Sequence, residues 1–189
     1  MEPFEFLLLF AALLLGVAVT DLVASLHRLF SPDRKVTWDW LAPLAALVAF
    51  LKIVAQWWVW YSRATFVQAL TWEVFLAVLT RVVLLFLMTA AALPDPRPPG
   101  EPIDLRTHWR NVQTRYWIFF LAHWTVGAGV SLYTRTPSGA LVSSWPSGWL
   151  IVPVTTAMIF LKGRAWQTSG LVVFWIVYSL QFVGQSLGG

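Results

Sequence analysis

The sequence of 189 residues contains no cysteine and few charged residues. Without cysteine the chain can form no disulfides, thiol nucleophiles or thiolate-bound zinc or iron–sulfur centres. Asp, Glu, Lys and Arg make up 12% of the residues, whereas a soluble domain usually carries about a quarter. Hydrophobic residues make up 58%, which excludes intrinsic disorder and would leave large apolar patches on a soluble fold. The composition therefore predicts an integral membrane protein.

The N-terminal residues carry no positive charge before the first apolar run. Secretory signal peptides open with a positive region, whereas Glu2 and Glu5 are acidic. No clear small-residue cleavage site ends the apolar run, so we expect this segment to be retained as a membrane span.

Long apolar segments occupy most of the chain. A helix needs about 20 residues to cross a hydrocarbon core of about 30 Å. Six transmembrane helices are predicted, at 4–30, 38–61, 66–93, 104–134, 148–161 and 165–187. Asp104 is the expected N-cap of the fourth helix, whose first turns are amphipathic. The predicted fold class is an all-α membrane protein with six helices and both termini on one side.

The loop cations predict which side that is. With the N-terminus outside, the outer loops contain only Arg63 and Arg135. The cytoplasmic loops contain nine cations: Arg28, Arg34, Lys35, Arg97, Arg106, Arg110, Arg115, Lys162 and Arg164. This asymmetry follows the positive-inside rule, so both termini are predicted to be outside. Because the cations lie beside apolar spans, they indicate membrane topology and exclude a nucleic-acid partner.

A proline-rich segment divides the predicted helices into two halves. Residues 94–103 are predicted to be a cytoplasmic linker between 1–93, with three helices, and 104–189, with three more, in one structural unit. Pro43 and Pro153, predicted helix starts or kinks, each precede a Phe-Leu-Lys tripeptide by the same spacing. Three helices per half would make the halves inverted, as in many transporters. A shared tripeptide is a weak signal in so narrow a composition.

Four charged residues lie well inside the predicted helices, where each costs about 2.5–3.5 kcal/mol at a helix centre. Lys52 lies 11 residues before a turn near Arg63 and Glu73 lies 10 after it, which places these two at one level. Asp21 and Arg81 lie nine and 12 residues before the ends of their predicted helices, the second of which is longer and tilted, so they share a second level. We therefore expect two buried ion pairs, Lys52–Glu73 and Asp21–Arg81. Such pairs either bind the helices together or line a pathway.

His123 is predicted to lie inside the fourth helix near Asp21 and Arg81, either as a proton relay or as a neutral, hydrogen-bonded imidazole. Haem held by His27 and His123 is disfavoured because their depths differ by about one helical turn. No spacing resembles a zinc or di-iron site, and no nucleophile or phosphate-binding motif occurs. We therefore expect no metal, cofactor or catalytic residues, and an enzyme is the least favoured class.

Two functions remain open. The first is a small channel or transporter for an ion, proton or small solute, using Asp21, Lys52, Glu73, Arg81 and His123. The second is a non-catalytic scaffold or sensor that binds anionic lipid or a partner protein through a basic cytoplasmic face. The residues of that face are Arg34, Lys35, Arg106, Arg110, Lys162 and Arg164. In either case we expect a homo-oligomer in a bacterial inner membrane.

Overall fold

The computed structural model describes residues 3–32, 34–62, 71–96, 98, 101–133 and 148–186. These residues form six helices: α1 (Pro3–Leu29), α2 (Leu41–Ser62), α3 (Trp72–Ala92), α4 (Leu105–Tyr133), α5 (Gly148–Phe160) and α6 (Arg164–Ser186). Two short strands, β1 (Val36–Thr37) and β2 (Ile103–Asp104), pair in parallel. The prediction of an all-α fold is confirmed. The predicted loop at 136–147 and the cations Arg63, Arg97 and Arg135 lie outside the described residues.

Within the described residues, three helices are long and apolar enough to cross a membrane: Glu5–Leu29, Leu41–Trp60 and Trp72–Ala92. They correspond to the first three predicted spans. Of the others, α5 is apolar but has 13 residues, and α4 begins with two polar turns. Pro43 lies in the first turn of α2, where proline is tolerated, while Pro153 lies inside α5.

The third helix begins later than predicted, at Trp72 instead of residue 66. Thr71 is its N-cap: the threonine hydroxyl accepts a hydrogen bond from the Val74 amide at 3.5 Å. Glu73 is consequently the second residue of the helix, where a carboxylate complements the positive end of the helix dipole. It does not lie deep inside a span.

The helices pack through faces that repeat every three or four residues. On α1 this face contains Leu7, Ala11, Leu15, Ala18 and Leu22, and it packs mainly on α3. Helix α2 is the most enclosed, with contacts to α1, α3, α4 and α6. Buried alanines along α2 let these neighbours approach closely: Ala42, Ala45, Ala46 and Ala49. Helix α4 packs on α3 and α5.

The beginnings of α2, α4 and α6 lie at one end of the bundle, which we call the basic end. There the β1–β2 ladder joins the α1–α2 connection to the segment before α4, and the Ile103 amide donates to the Lys35 carbonyl at 2.9 Å. Asp104 caps α4 as predicted, because its carboxylate accepts from the backbone amides of Arg106 and Thr107. Hydrogen bonds from the side chain and backbone of Thr107 lower the pKa of Asp104.

A buried glutamine holds the turn between α5 and α6. The Gln167 Nε2 group donates to the carbonyls of Met158 and Leu161 at 2.9 and 2.7 Å, and so pairs carbonyls at the end of α5. Its Oε1 accepts from the Trp117 indole at 2.7 Å. One side chain thus connects α4, α5 and α6.

We expect Gln167→Leu to lower the free energy of unfolding by about 3 kcal/mol or more, because it leaves one buried donor and two acceptors unpaired. Thr168→Val, at the exposed neighbouring position, is the matched control and should change stability little. Thermal or denaturant unfolding of the purified protein in detergent measures both. Equal stability of the two variants would contradict this role for Gln167.

Candidate functional site

Four polar side chains from three helices meet inside the bundle. Lys52 and Gln56 come from α2, Arg81 from α3 and His123 from α4, and we call them the interior cluster. Lys52 lies ten residues before the end of α2, Arg81 nine after the start of α3, and His123 ten before the end of α4. At 1.5 Å per residue these positions lie about 14–15 Å from the end opposite the basic end. Three helices therefore contribute polar groups at the same depth.

Hydrogen bonds link the members of this cluster. The Arg81 Nη2 group donates to Gln56 Oε1 at 2.6 Å and lies 3.3 Å from His123 Nε2. His123 Nδ1 lies 3.1 Å from the backbone carbonyl of Arg81. Because a carbonyl only accepts, Nδ1 carries the proton, and Nε2 of the neutral imidazole accepts from Arg81. This tautomer gives both ring nitrogens a partner, and the 3.2 Å approach of Nε2 to Gln56 Oε1 is then a contact between two acceptors that share the Arg81 donor.

Lys52 is 5% exposed and lies against aromatic rings. Its Nζ atom is 4.3 Å from the centroid of the Trp124 ring and 5.4 Å from that of Tyr178. Both distances allow cation–π attraction. Lys52 and Arg81 are also close enough for their like charges to interact. Within the described part of the chain no carboxylate forms an ion pair with Lys52.

The two predicted ion pairs, Lys52–Glu73 and Asp21–Arg81, are wrong. Glu73 is exposed at the start of α3, whereas Lys52 lies ten residues before the end of α2, so the two are at different depths. Asp21 is exposed on the outside of α1, and its carboxylate forms no ion pair with the described residues. The late start of α3 is the reason for the first error: counted from Trp72, Arg81 is the residue level with Lys52.

Two residues at the interior cluster have sequence signals that the prediction of ion pairs does not use. Gln56 follows Lys52 by four residues, which places both on one face of α2. Gly127 belongs to the run Gly127-Ala-Gly129 on α4, which is typical of close helix contact, and it lies against the Arg81 guanidinium. A Cβ added there would be 2.9 Å from Arg81 Cζ.

A second group of charges surrounds a cavity of about 190 Å³ at the basic end. We call it the basic cavity. Four of the six cations predicted for the basic face line it: Arg106 and Arg110 on α4, Lys162 in the α5–α6 turn, and Arg164 at the start of α6. The other two, Arg34 and Lys35, lie in the α1–α2 connection and do not line it.

The described residues contain one ion pair, and it lies in the wall of this cavity. Asp39 Oδ2 is 3.0 Å from Arg164 Nη1, and Oδ1 accepts from the Leu41 amide at the start of α2. The Asp39 side chain is 2% exposed, whereas that of Arg164 is 56% exposed. Asp39 therefore holds the guanidinium at the cavity while part of it faces outward.

Buried aromatic rings fill the bundle between the basic cavity and the interior cluster. Neighbouring ring centroids lie 4.6–6.3 Å apart. We call these rings the aromatic layer, and its members are Trp109, Tyr116, Trp117, Phe120, Phe174 and Tyr178. Tyr116 also donates to the Ala45 carbonyl at 3.0 Å, which ties this layer to α2.

The described residues contain no group of three or more His, Asp or Glu side chains that could hold a metal ion. His27 is exposed on α1, whereas His123 is buried in α4. Comparison with protein-family models, with curated proteins and with solved structures found no match. Inferences about function therefore rest on the geometry of the two cationic sites.

We expect Gly127→Ala to displace the Arg81 guanidinium, because the added methyl would lie too close to Cζ and the hydrogen bonds to Gln56 hold that group in place. The expected loss of stability is about 1–3 kcal/mol. Gly129→Ala is the control, since a Cβ there meets nothing within 4 Å. Unfolding of both variants in detergent measures the difference, and equal effects would contradict the close packing of Gly127 on Arg81.

Proposed function

We propose that the chain is a six-span protein of a bacterial inner membrane, with its termini outside and the basic end in the cytoplasm. Three sufficiently long apolar helices and the excess of loop cations at one end support this arrangement. Helix α5 would need flanking residues to complete its crossing, because 13 residues span about 20 Å. Inverted three-helix halves belong to the same proposal.

We also propose that copies of the chain associate in the membrane. Asp21 is exposed in the middle of an apolar helix, where a carboxylate facing lipid is costly. A neighbouring copy that covers this part of α1 would remove the carboxylate from lipid.

Within this frame, we propose that the protein is a small channel or transporter and that the interior cluster binds an anion during its passage. The observation that carries the proposal is the buried Lys52 side chain, which is one turn from Gln56, the acceptor of Arg81, and has no ion-pairing carboxylate among the described residues. A site of positive charge inside a membrane attracts anions and repels cations, and Lys or Arg side chains line anion pores. Glu73 and Asp21 are outside this site.

The aromatic layer acts as a closed barrier in this proposal. It fills the bundle between the basic cavity and the interior cluster, so its rings must move for an anion to pass. Gating by movement of side chains or helices is the expected behaviour of a transporter that opens to one side at a time.

The geometry favours an anion over a proton as the transported species. A proton relay needs a partner that exchanges protons on each side of the imidazole. His123 Nδ1 instead faces a backbone carbonyl, which accepts a hydrogen bond but does not take up the proton.

Lys52→Met tests this function. Methionine fills similar volume without charge, and replacing a buried charge with an apolar side chain is often neutral or stabilising. We expect the variant to melt at or above the temperature of the parent protein, yet to lose at least about tenfold in the rate of anion flux. Chloride and nitrate flux into proteoliposomes measures the rate, and thermal unfolding measures stability.

Glu73→Gln and Asp21→Asn are the matched controls. Both remove a charge from an apolar helix outside the interior cluster, and both should leave anion flux within about twofold. Loss of flux in either control, with Lys52→Met unaffected, would overturn the assignment of the site. Flux of protons or potassium without anion flux would overturn the assignment of the substrate.

A second candidate function is a scaffold or sensor that binds anionic lipid or a partner protein. The basic cavity favours it, because four predicted headgroup residues converge there. Absence of flux for every ion, together with selective binding of anionic lipid, would favour this function over transport.

Single introduced cysteines test the proposed orientation, since the chain contains no other thiol. Lys35 and Trp72 are both exposed, and they lie near opposite ends of the bundle. With an impermeant thiol reagent on intact spheroplasts, we expect Trp72→Cys to be labelled and Lys35→Cys to require permeabilisation. The reverse pattern would place the basic end outside.

A further inference from the structure

The basic cavity combines charge from three parts of the chain. Helices α2, α4 and α6 all begin at this end, and residues near each beginning line the cavity: Leu41, Arg106 and Arg164. The N-terminus of a helix carries about half a positive charge and unpaired amide donors. Asp39 and Asp104 already cap α2 and α4, so the four cationic side chains supply most of the positive charge around the cavity.

Much of that positive charge is not neutralised by the described residues. Asp39 is the one carboxylate in the lining, and it is already bound to Arg164. Arg110 and Lys162 are exposed and form no ion pair within the described part of the chain. The cavity therefore keeps an excess of cationic groups around a space that a single bound water would not fill.

The lining also contains a buried aromatic ring. Trp109 is 2% exposed, and its indole Nε1 has no hydrogen-bond acceptor among the described residues. Trp109 lines the cavity, but its Nε1 atom is enclosed, so this indole contributes an apolar surface to the lining and no donor. Arg106, Trp109, Arg110 and Gln113 recur at three- and four-residue spacing on α4, which directs them to one face.

We propose that the basic cavity is a binding site for a phosphate group, held by Arg106, Arg110, Lys162 and Arg164. Arginine offers paired N–H donors that match the oxygens of phosphate, and lysine adds a compact charge. Asp39 is a positioning residue, because its carboxylate fixes Arg164 and the charge of that carboxylate is paired with the guanidinium.

Two sources could supply the phosphate: the headgroup of an anionic phospholipid, or a soluble phosphate. The cavity lies at the end of the bundle that we place at the cytoplasmic membrane surface, so both have access. Binding is measured on purified protein without flux. Failure of this proposal is therefore distinct from failure of the transport proposal.

The experiment has two arms on the full chain. In the first, inorganic phosphate is titrated into protein in nonionic detergent at constant ionic strength, and isothermal calorimetry gives the affinity. In the second, delipidated protein is mixed with phosphatidylglycerol or phosphatidylcholine, and native mass spectrometry counts the lipids retained. Binding in the first arm alone identifies soluble phosphate, and selective retention of phosphatidylglycerol alone identifies a headgroup. Binding in both arms identifies a site open to either source.

Arg110→Gln is the test variant and Arg115→Gln the matched control. Both arginines are exposed on α4, but only Arg110 lines the cavity. We expect Arg110→Gln to weaken binding about tenfold, the effect of losing a charge-assisted hydrogen bond, and Arg115→Gln to change it less than twofold. Lys162→Gln provides a second test variant on another element, and it replaces Arg110→Gln if that variant does not fold.

Two results would overturn the proposal. One is the absence of binding in both arms. The other is an equal loss of affinity in Arg110→Gln and Arg115→Gln, which would show attraction to the general charge of the basic end.

Discussion

The need to satisfy the Arg81 guanidinium inside an apolar bundle constrains how α2, α3 and α4 meet. A buried guanidinium stays charged and must have its donors paired. Gln56 accepts from it, His123 bonds both its Nη2 and its backbone carbonyl, and Gly127 leaves room for its planar group. Each partner comes from a different turn or helix. Shifting one helix along its axis would separate several of these groups at once.

The same cluster gives the interior a positive character. Lys52 is held by the faces of Trp124 and Tyr178 instead of by a carboxylate, so the attraction comes from ring quadrupoles and leaves the charge available to an anion. The aromatic layer separates this charge from the cations of the basic end. The fold thus contains two cationic sites at different depths with buried aromatic rings between them, and the proposed transport function rests on this arrangement.

At the basic end, paired polar groups fix the connections so that the cationic side chains converge. Asp39 binds both the start of α2 and Arg164, Asp104 caps α4, and Gln167 closes the turn between α5 and α6. These buried or locally bonded groups are what hold Arg110 and Lys162 around one cavity.

The amino-acid sequence determined the helical class and the approximate positions of the three long apolar helices. It also determined the Asp104 cap and which cations belong to the basic face. These features depend on residues that are close together in the sequence, because an apolar run, a proline or an N-cap affects only its own segment of the chain. The partners of the charged side chains depended on tertiary structure. The sequence predicts a turn near Arg63, whereas α3 begins nine residues later at Trp72, so Arg81 lies at the depth predicted for Glu73. Helix α1 carries apolar residues on every face, so the sequence alone does not indicate which way Asp21 points. Only packing of the helices decided that rotation.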